Sequence, residues 1–203
     1  MKRFDEQVAE RLRAAVAAAE GRSDLEIVCR VVPRSGGWRS LPWVVGCGVG
    51  VALLALVLFA PFSVDPAWVL PEVVLPAAAL GWGVSRWPLA LRALAGAGRL
   101  DARVLERAQA EMVREAVTAT RRGTGVLVMA SVLEDRVVTL FDHPLLGRAP
   151  RAEWEAAALK GRGPGDLVGR MLAVVEAVGA VGARHVPALD DNPNELPDEP
   201  RIG

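Results

Sequence analysis

The longest apolar stretch of the chain, residues 40–64, contains no charged side chain. A helix needs roughly 20 apolar residues to cross the hydrocarbon core of a bilayer, so this stretch predicts a first transmembrane span at about residues 42–62. A second apolar stretch, from Pro66 to Ser85, is interrupted only by Glu72 and predicts a second span at about residues 67–87. The two stretches together predict a transmembrane hairpin over residues 41–94.

Aromatic and basic residues at the ends of the spans predict an orientation. Three tryptophans lie at the predicted span ends: Trp43, Trp68 and Trp87. Indole rings favour the membrane interface, where the ring is buried and the N–H stays hydrated. Arg39 precedes the first span and Arg86 follows the second, whereas the turn contains Asp65 and no lysine or arginine. The positive-inside rule therefore predicts a multi-pass membrane protein with both termini in the cytoplasm.

Small residues recur at four-residue spacing in both spans. Gly46 and Gly50 form a GxxxG pair, and Gly81 and Gly83 each follow an alanine four positions earlier. Such residues let two helix backbones approach closely in a membrane. The spacing is compatible with packing of the hairpin on itself and with an interface between copies of the chain. Glu72 is either an acid near the outer interface or a functional intramembrane acid.

The flanks of the hairpin, residues 1–39 and 99–203, carry the pattern of a soluble α/β fold. In the first flank Val8, Leu12 and Val16 predict a helix capped at Asp5 and ended by Gly21. The β-branched run from Leu25 to Val32 then predicts a strand, and Pro33 marks the end of that strand.

The second flank predicts a helix from Asp101 to Gly123, followed by two strands and two helices. Gly125–Val132 is almost continuously apolar, as in a strand buried on both faces. A short polar link joins it to Arg136–Phe141, which predicts a β-hairpin. Helices are predicted around Trp154 and after the glycine-rich residues 161–166, and residues 187–203 are predicted to form a solvated acidic tail.

This order of elements predicts a small mixed sheet covered by helices. A strand, a helical connection and a second buried strand favour a parallel pair, with helices on both faces of the sheet. The predicted soluble domain is therefore discontinuous, formed by residues 1–39 and 99–203, and the membrane hairpin is inserted within it.

Composition excludes several functional classes. The formal net charge is zero, which removes the basic footprint of a nucleic-acid-binding protein. Two cysteines are too few for a disulfide framework or a four-thiolate metal site. No HExxH, GxSxG or GK[ST] motif is present.

Four segments together resemble the TPM-domain family, in the bacterial membrane-protein branch that carries a hairpin inside the domain. They are Glu26-Ile27, Thr124–Val128, Arg136–Val138 and the closing Asn194–Asp198. The resemblance implies an α/β sandwich. It also implies a choice of roles, because family members have been proposed as phosphatases, as divalent-metal binders and as accessory subunits of membrane complexes. Bacterial members are often encoded beside a LemA-type membrane protein, which the resemblance implies as a partner.

Acidic residues at the predicted strand ends are the candidate functional residues. They are Asp24, Glu134, Asp135 and Asp142, with His143 beside the last. Asp135, Asp142 and His143 are a candidate site for Ca²⁺ or Mg²⁺, since hard cations take carboxylate oxygens. Acids also favour turns for local hydrogen-bonding reasons, so the same residues fit a purely structural role. The chain departs from the family pattern here, because Pro144 replaces a flexible position.

Two further motifs have a catalytic and a structural interpretation. Ser131 and His143 could meet as nucleophile and base, or Ser131 packs in the sheet. The glycines of residues 161–166 could cradle a phosphate with Arg162, or Asp166 is the N-cap of the next helix.

Two functions follow from these observations. The first is a membrane-anchored interaction or accessory module whose partners are the bilayer, a LemA-type protein or a second copy of the chain. The alternative is a metal-dependent phosphatase-like enzyme at the cytoplasmic membrane face. Neither function involves nucleic acid.

Overall fold

The computed structural model describes residues 6–38, 40–59, 61, 65–189, 196 and 200–202. The chain divides into two compact units. The first combines Met1–Ser35 with Asp101–Gly203, and the second is Gly36–Leu100.

The first unit is built on a mixed sheet of four strands, which lie in the order Arg136–Phe141 (β3), Gly125–Ser131 (β2), Glu26–Val32 (β1) and Arg201–Ile202 (β4). Strand β1 (Glu26–Val32) lies parallel to β2 (Gly125–Ser131), with Val28 opposite Leu127. Strand β3 (Arg136–Phe141) returns antiparallel to β2. The predicted parallel pair of β1 and β2 and the predicted β-hairpin of β2 and β3 are both confirmed. The pair forms although the second unit separates β1 from β2 along the chain.

Helices cover both faces of this sheet, as predicted. Helices α1 (Glu6–Glu20), α7 (Arg151–Leu159) and α8 (Leu167–His185) contribute buried residues to the core that contains Ile27 and Val126. The opposite core contains Val28 and Leu127 together with Val104 of α5 (Ala97–Arg114). Neighbouring residues of β1 and β2 therefore face different cores, which explains why both strands are almost continuously apolar.

The helix that follows the second unit differs from its prediction at both ends. Helix α5 begins at Ala97 rather than at Asp101. The Asp101 carboxylate accepts a hydrogen bond from Nε of Arg136 at 2.8 Å, so it serves a tertiary contact and not a cap. The helix ends at Arg114 rather than at Gly123, because Ala116 adopts a left-handed conformation (φ 54°) before a short 3₁₀ helix.

The end of the chain returns to the sheet instead of forming a wholly solvated tail. Arg201 and Ile202 form β4, which pairs parallel with Arg30 and Val31 of β1. The N–H of Leu196 donates to Oε2 of Glu26 at 3.0 Å. The free edge of β1 offers unpaired backbone groups, which explains why a terminal strand adds there. The predicted acids of the tail lie outside the described residues: Asp190, Asp191, Glu195, Asp198 and Glu199.

The second unit contains helices α2 (Ser40–Phe59), α3 (Pro66–Arg86) and α4 (Pro88–Ala95). Two of these helices are long and apolar enough to cross a membrane, with mean hydropathies of 2.4 for Ser40–Phe59 and 1.5 for Ala67–Arg86. Only 0% and 11% of these stretches are buried, so they differ from the core helices of a soluble domain. Asp65 caps α3 by accepting a hydrogen bond from the N–H of Ala67 at 2.9 Å.

Glycines on facing helices bring α2 and α3 together. A Cβ built on Gly46 would lie 3.1 Å from the carbonyl oxygen of Ala77, and one on Gly81 would lie 2.9 Å from that of Pro42. At Gly50 the nearest atom is the Cβ of Ala77 at 3.5 Å. Gly83 does not belong to this contact, because a Cβ there would meet no atom within 4 Å in the described chain.

We expect Gly81→Leu to destabilise the hairpin, because its side chain would collide with the backbone of α2. Gly83→Leu is the matched control on the same helix and should leave the hairpin unchanged. Thermal unfolding of the full chain in detergent measures the difference, with a lower transition temperature for Gly81→Leu alone. An effect of Gly83→Leu as large as that of Gly81→Leu would contradict the packing described here.

Candidate functional site

The three residues of the predicted metal site do not come together. Asp135 lies in the β2–β3 turn with φ 55°, whereas Asp142 follows the last residue of β3. Six strand residues separate them, and a strand rises about 3.3 Å per residue, so the two acids lie at opposite ends of β3. The described residues contain no group of three or more His, Cys, Asp or Glu side chains that could hold a metal ion.

Each of these two acids has an internal partner. The carboxylate of Asp135 forms an ion pair with Arg170. Asp142 is the N-cap of the short helix α6 (His143–Leu146), where its Oδ1 accepts a hydrogen bond from the N–H of His143 at 2.7 Å. The turn-forming interpretation of these residues therefore fits their contacts.

The other two acids at strand ends are buried. Asp24, which is 2% exposed, accepts a hydrogen bond from Nη1 of Arg122 at 2.8 Å. Glu134 is fully buried and accepts hydrogen bonds from the N–H of Ser35 and the hydroxyl of Ser131. Glu134 thus holds the segment that leaves β1 toward the second unit.

The predicted nucleophile and base lie apart. Ser131 is the last residue of β2, and its hydroxyl donates to Glu134. His143 follows the far end of β3, next to the beginning of β2. Ser131 and His143 therefore cannot act as a pair in this arrangement.

The cysteine in the sheet is an unreactive core residue. Burial, together with the nearby Glu20 carboxylate, raises the pKa of the Cys29 thiol to about 12. Since the thiolate is the reactive form, Cys29 is protected from modification at neutral pH. Cys47 lies in α2, and neither cysteine forms a disulfide.

The glycine-rich loop before α8 ends in the N-cap residue of that helix. Oδ1 of Asp166 accepts a hydrogen bond from the N–H of Gly169 at 2.8 Å, which confirms the N-cap interpretation. This carboxylate places negative charge at the helix N-terminus and thereby opposes a phosphate there.

A buried ionic network was not predicted from the sequence. Nε of Arg30 on β1 lies 3.1 Å from Oε2 of Glu111 on α5, and Oε1 of Glu111 lies 2.6 Å from Nη2 of Arg107. Arg201 of β4 pairs with the neighbouring Glu115. The available signal was the single arginine within the apolar run of residues 25–32, since a buried charge needs a partner.

A cleft beside β3 brings several arginines together. Its volume is about 490 Å³, and its basic residues are Arg136, Arg162 and Arg170. Arg136 comes from β3, Arg162 from the 3₁₀ helix Lys160–Arg162, and Arg170 from α8. The sequence predicts a phosphate role only for Arg162, because the spacing of the three arginines along the chain does not reveal their proximity.

The predicted lipid-facing residues are largely exposed in the second unit. The exposed fractions are 76% for Trp43, 62% for Trp68 and 68% for Trp87. The guanidinium carbon of Arg86 lies 5.1 Å from the centre of the Trp82 ring. Arg39 lies outside the described residues.

No family model and no curated protein sequence matches this chain. A solved structure is similar, namely the NMR structure of the BA42 protein from the psychrophilic bacterium Bizionia argentinensis. The alignment covers 98% of this chain and 95% of that protein, with a TM-score of 0.58 and 14% sequence identity. At this identity the similarity concerns the fold and carries no statement about activity.

Proposed function

We propose that the chain is a membrane-anchored accessory module of the bacterial inner membrane. In this proposal the second unit crosses the membrane twice, and the sheet unit and both termini lie in the cytoplasm. The module acts by binding a partner in a membrane complex. The resemblance to the TPM-domain family suggests a LemA-type membrane protein, and a second copy of the chain is the other partner to test.

The observation that carries the proposal is the surface of the helical hairpin. Its helices pack through glycines, so their large apolar side chains point away from that contact. The exposed fractions reach 86% for Phe59 and 72% for Leu70. Contiguous exposed apolar surface of this kind marks a membrane or protein contact, because water does not favour it.

The contacts in the sheet unit support a binding role over the phosphatase alternative. The four acids at strand ends are held by arginines or by backbone and hydroxyl groups, as described above. No contact among the described residues favours a metal-dependent phosphatase. An interaction module needs no such site.

The orientation is tested by labelling single cysteines with a membrane-impermeant maleimide. The background is Cys47→Ala with Cys29 retained, because Cys29 is buried and its thiol pKa is about 12. Two probes are then introduced separately at exposed positions: Pro61→Cys in the turn of the hairpin and Arg151→Cys in the sheet unit. We expect the first probe to react in intact spheroplasts and the second to react only after lysis.

Other labelling patterns would contradict the proposal. Labelling of both probes in intact spheroplasts would place the sheet unit outside the cytoplasm. Recovery of the chain in the soluble fraction would remove the membrane anchor altogether. Size-exclusion chromatography with light scattering in mild detergent, with and without a co-expressed LemA-type protein, then tests the binding role. A strictly monomeric chain in both samples would contradict that role.

A further inference from the structure

We propose that the arginine-lined cleft beside β3 binds a phosphate ester. The ligand class is a phosphate group that carries an apolar or partly apolar organic part, either a soluble phosphate monoester or the headgroup of an anionic phospholipid. Binding of a soluble phosphate monoester does not depend on the proposed membrane role, because the cleft lies wholly within the sheet unit, whereas binding of a phospholipid headgroup rests on that role.

Two of the arginines are oriented before any ligand arrives. Nε of Arg136 donates to Oδ1 of Asp101 at 2.8 Å, and one Nη atom of Arg136 donates to the carbonyl oxygen of Asp135 at 3.2 Å. Arg170 donates to the side chain and to the carbonyl oxygen of the same aspartate. Arginines held in this way lose less rotamer freedom on binding, so their donors are preorganised for an anion.

The cleft has donors and charge left over after these internal contacts. Arg170 is only 9% exposed, and its Nε atom has no hydrogen-bond partner among the described residues. An unpaired buried donor is unfavourable. Arg162 forms no ion pair within the described part of the chain, so one of the three positive charges is not balanced by Asp101 or Asp135.

The apolar residues that line the rest of the cleft indicate which kind of organic group the ligand carries. Apolar side chains from α5 and β3 lie beside the arginines, among them Val104, Leu105 and Val138. Leu105 is 41% exposed, so part of this apolar wall is open to a ligand. A volume of about 490 Å³ is in the range of small-molecule sites. Guanidinium groups match phosphate oxygens in geometry and charge, and the apolar wall fits an acyl or other apolar portion of the ligand.

Arg162→Glu is the test variant, since Arg162 is exposed and its replacement should leave the fold intact. Arg151→Glu, a charge reversal at a 79% exposed side chain outside the cleft, is the matched control. In the first arm the full chain in a non-ionic detergent is titrated with glycerol 3-phosphate, with sulfate at equal ionic strength as the reference. In the second arm the full chain is placed in phosphatidylcholine nanodiscs with or without phosphatidylglycerol and without soluble phosphate.

The readout in both arms is hydrogen exchange of the backbone amides of residues 160–170, with calorimetry added in the first arm. We expect protection of this segment in at least one arm, and the arm identifies the source of the phosphate. Arg162→Glu should weaken the effect about tenfold or more, because it replaces a charge-assisted donor with a repelling carboxylate. Arg151→Glu should behave like the unmodified chain. The absence of protection in both arms, or equal protection in Arg162→Glu, would overturn the proposal.

Discussion

Replacing Gly125 with alanine is expected to destabilise the sheet unit strongly. Gly125 is the first residue of β2, and a Cβ built on it would lie 1.9 Å from the carbonyl oxygen of Val117. The clash cannot be relieved by rotating a side chain, because the nearest atom belongs to the backbone.

Neither side of this contact can move easily. Gly125 pairs with Glu26 of β1, and its carbonyl oxygen accepts a hydrogen bond from the N–H of Asp142 at 2.9 Å. Val117 is fully buried in the core on the α5 face of the sheet. Overpacking of a well-packed site costs about 1–3 kcal/mol and occasionally more, and here we expect at least about 3 kcal/mol. Domains are stable by only about 5–15 kcal/mol, so this loss removes a large share of the total and raises the unfolded population about 100-fold or more.

Hydrogen exchange of the β2 amides in the detergent-solubilised chain measures this loss. Gly147→Ala is the matched control, because its Cβ would meet its nearest atom at 3.7 Å and its φ of −85° suits alanine. The control should be neutral or slightly stabilising. Protection of β2 at the level of the unmodified chain in Gly125→Ala would show that the close contact with Val117 is wrong.

Removing the Glu111 carboxylate is expected to cost about 3–5 kcal/mol of unfolding free energy, the usual result of breaking a buried ion pair from one side. Glu111 is 1% exposed, and its partner Arg30 on β1 has a side chain that is only 11% exposed. After Glu111→Ala, Arg30 keeps Glu115 at 3.9 Å, which is a weaker contact than the 3.1 Å pair it loses.

The double variant Arg30→Met with Glu111→Leu is expected to recover most of that loss. Arg30 and Glu111 lie among apolar residues of the core that contains Val28 and Val32, and well-packed apolar side chains often replace a buried ion pair without net cost. Recovery in the double variant would assign the loss to an unpaired charge rather than to lost packing. The measurement is a double-mutant cycle by denaturant unfolding that compares Arg30→Met, Glu111→Leu and the double variant, and additive losses would contradict the pairing.

Glu106→Ala is the control for this experiment on the same helix. Glu106 also pairs with an arginine, Arg103, at 2.9 Å, but both side chains are more than half exposed. Exposed pairs contribute about 0–1 kcal/mol, so this change should have little effect. A loss in Glu106→Ala equal to that in Glu111→Ala would indicate a general effect of helix charge.

The elements that depend on local pattern were predictable. Apolar spacing and β-branched runs identified α1, β1, β2 and β3, and the structure places β1 beside β2 as expected. The two long apolar helices were equally visible, because a stretch of this length without charge has few alternatives. The ends of α5 were not predictable. Asp101 is a residue type that often caps helices, but its carboxylate accepts a hydrogen bond from Arg136 instead.

The candidate site was predicted less well, because strand ends look alike in a sequence. Asp135 and Asp142 both follow the pattern of an acid beside a strand, yet one precedes β3 and the other follows it. Only the direction of each strand decides which acids share an edge of the sheet.

Local periodicity thus determined the helices, the strands and the apolar hairpin of this protein. Burial of one face or both requires apolar residues at regular spacing along the chain. The tertiary structure alone decided the contact of Arg30 with Glu111, the return of Arg201 and Ile202 to β1, and the arginine cleft. These contacts join residues that lie far apart in the chain, and their partners are selected by strand register and helix placement. A charged residue within an apolar run indicates that an oppositely charged partner is required. Only the packed fold determines which residue that partner is.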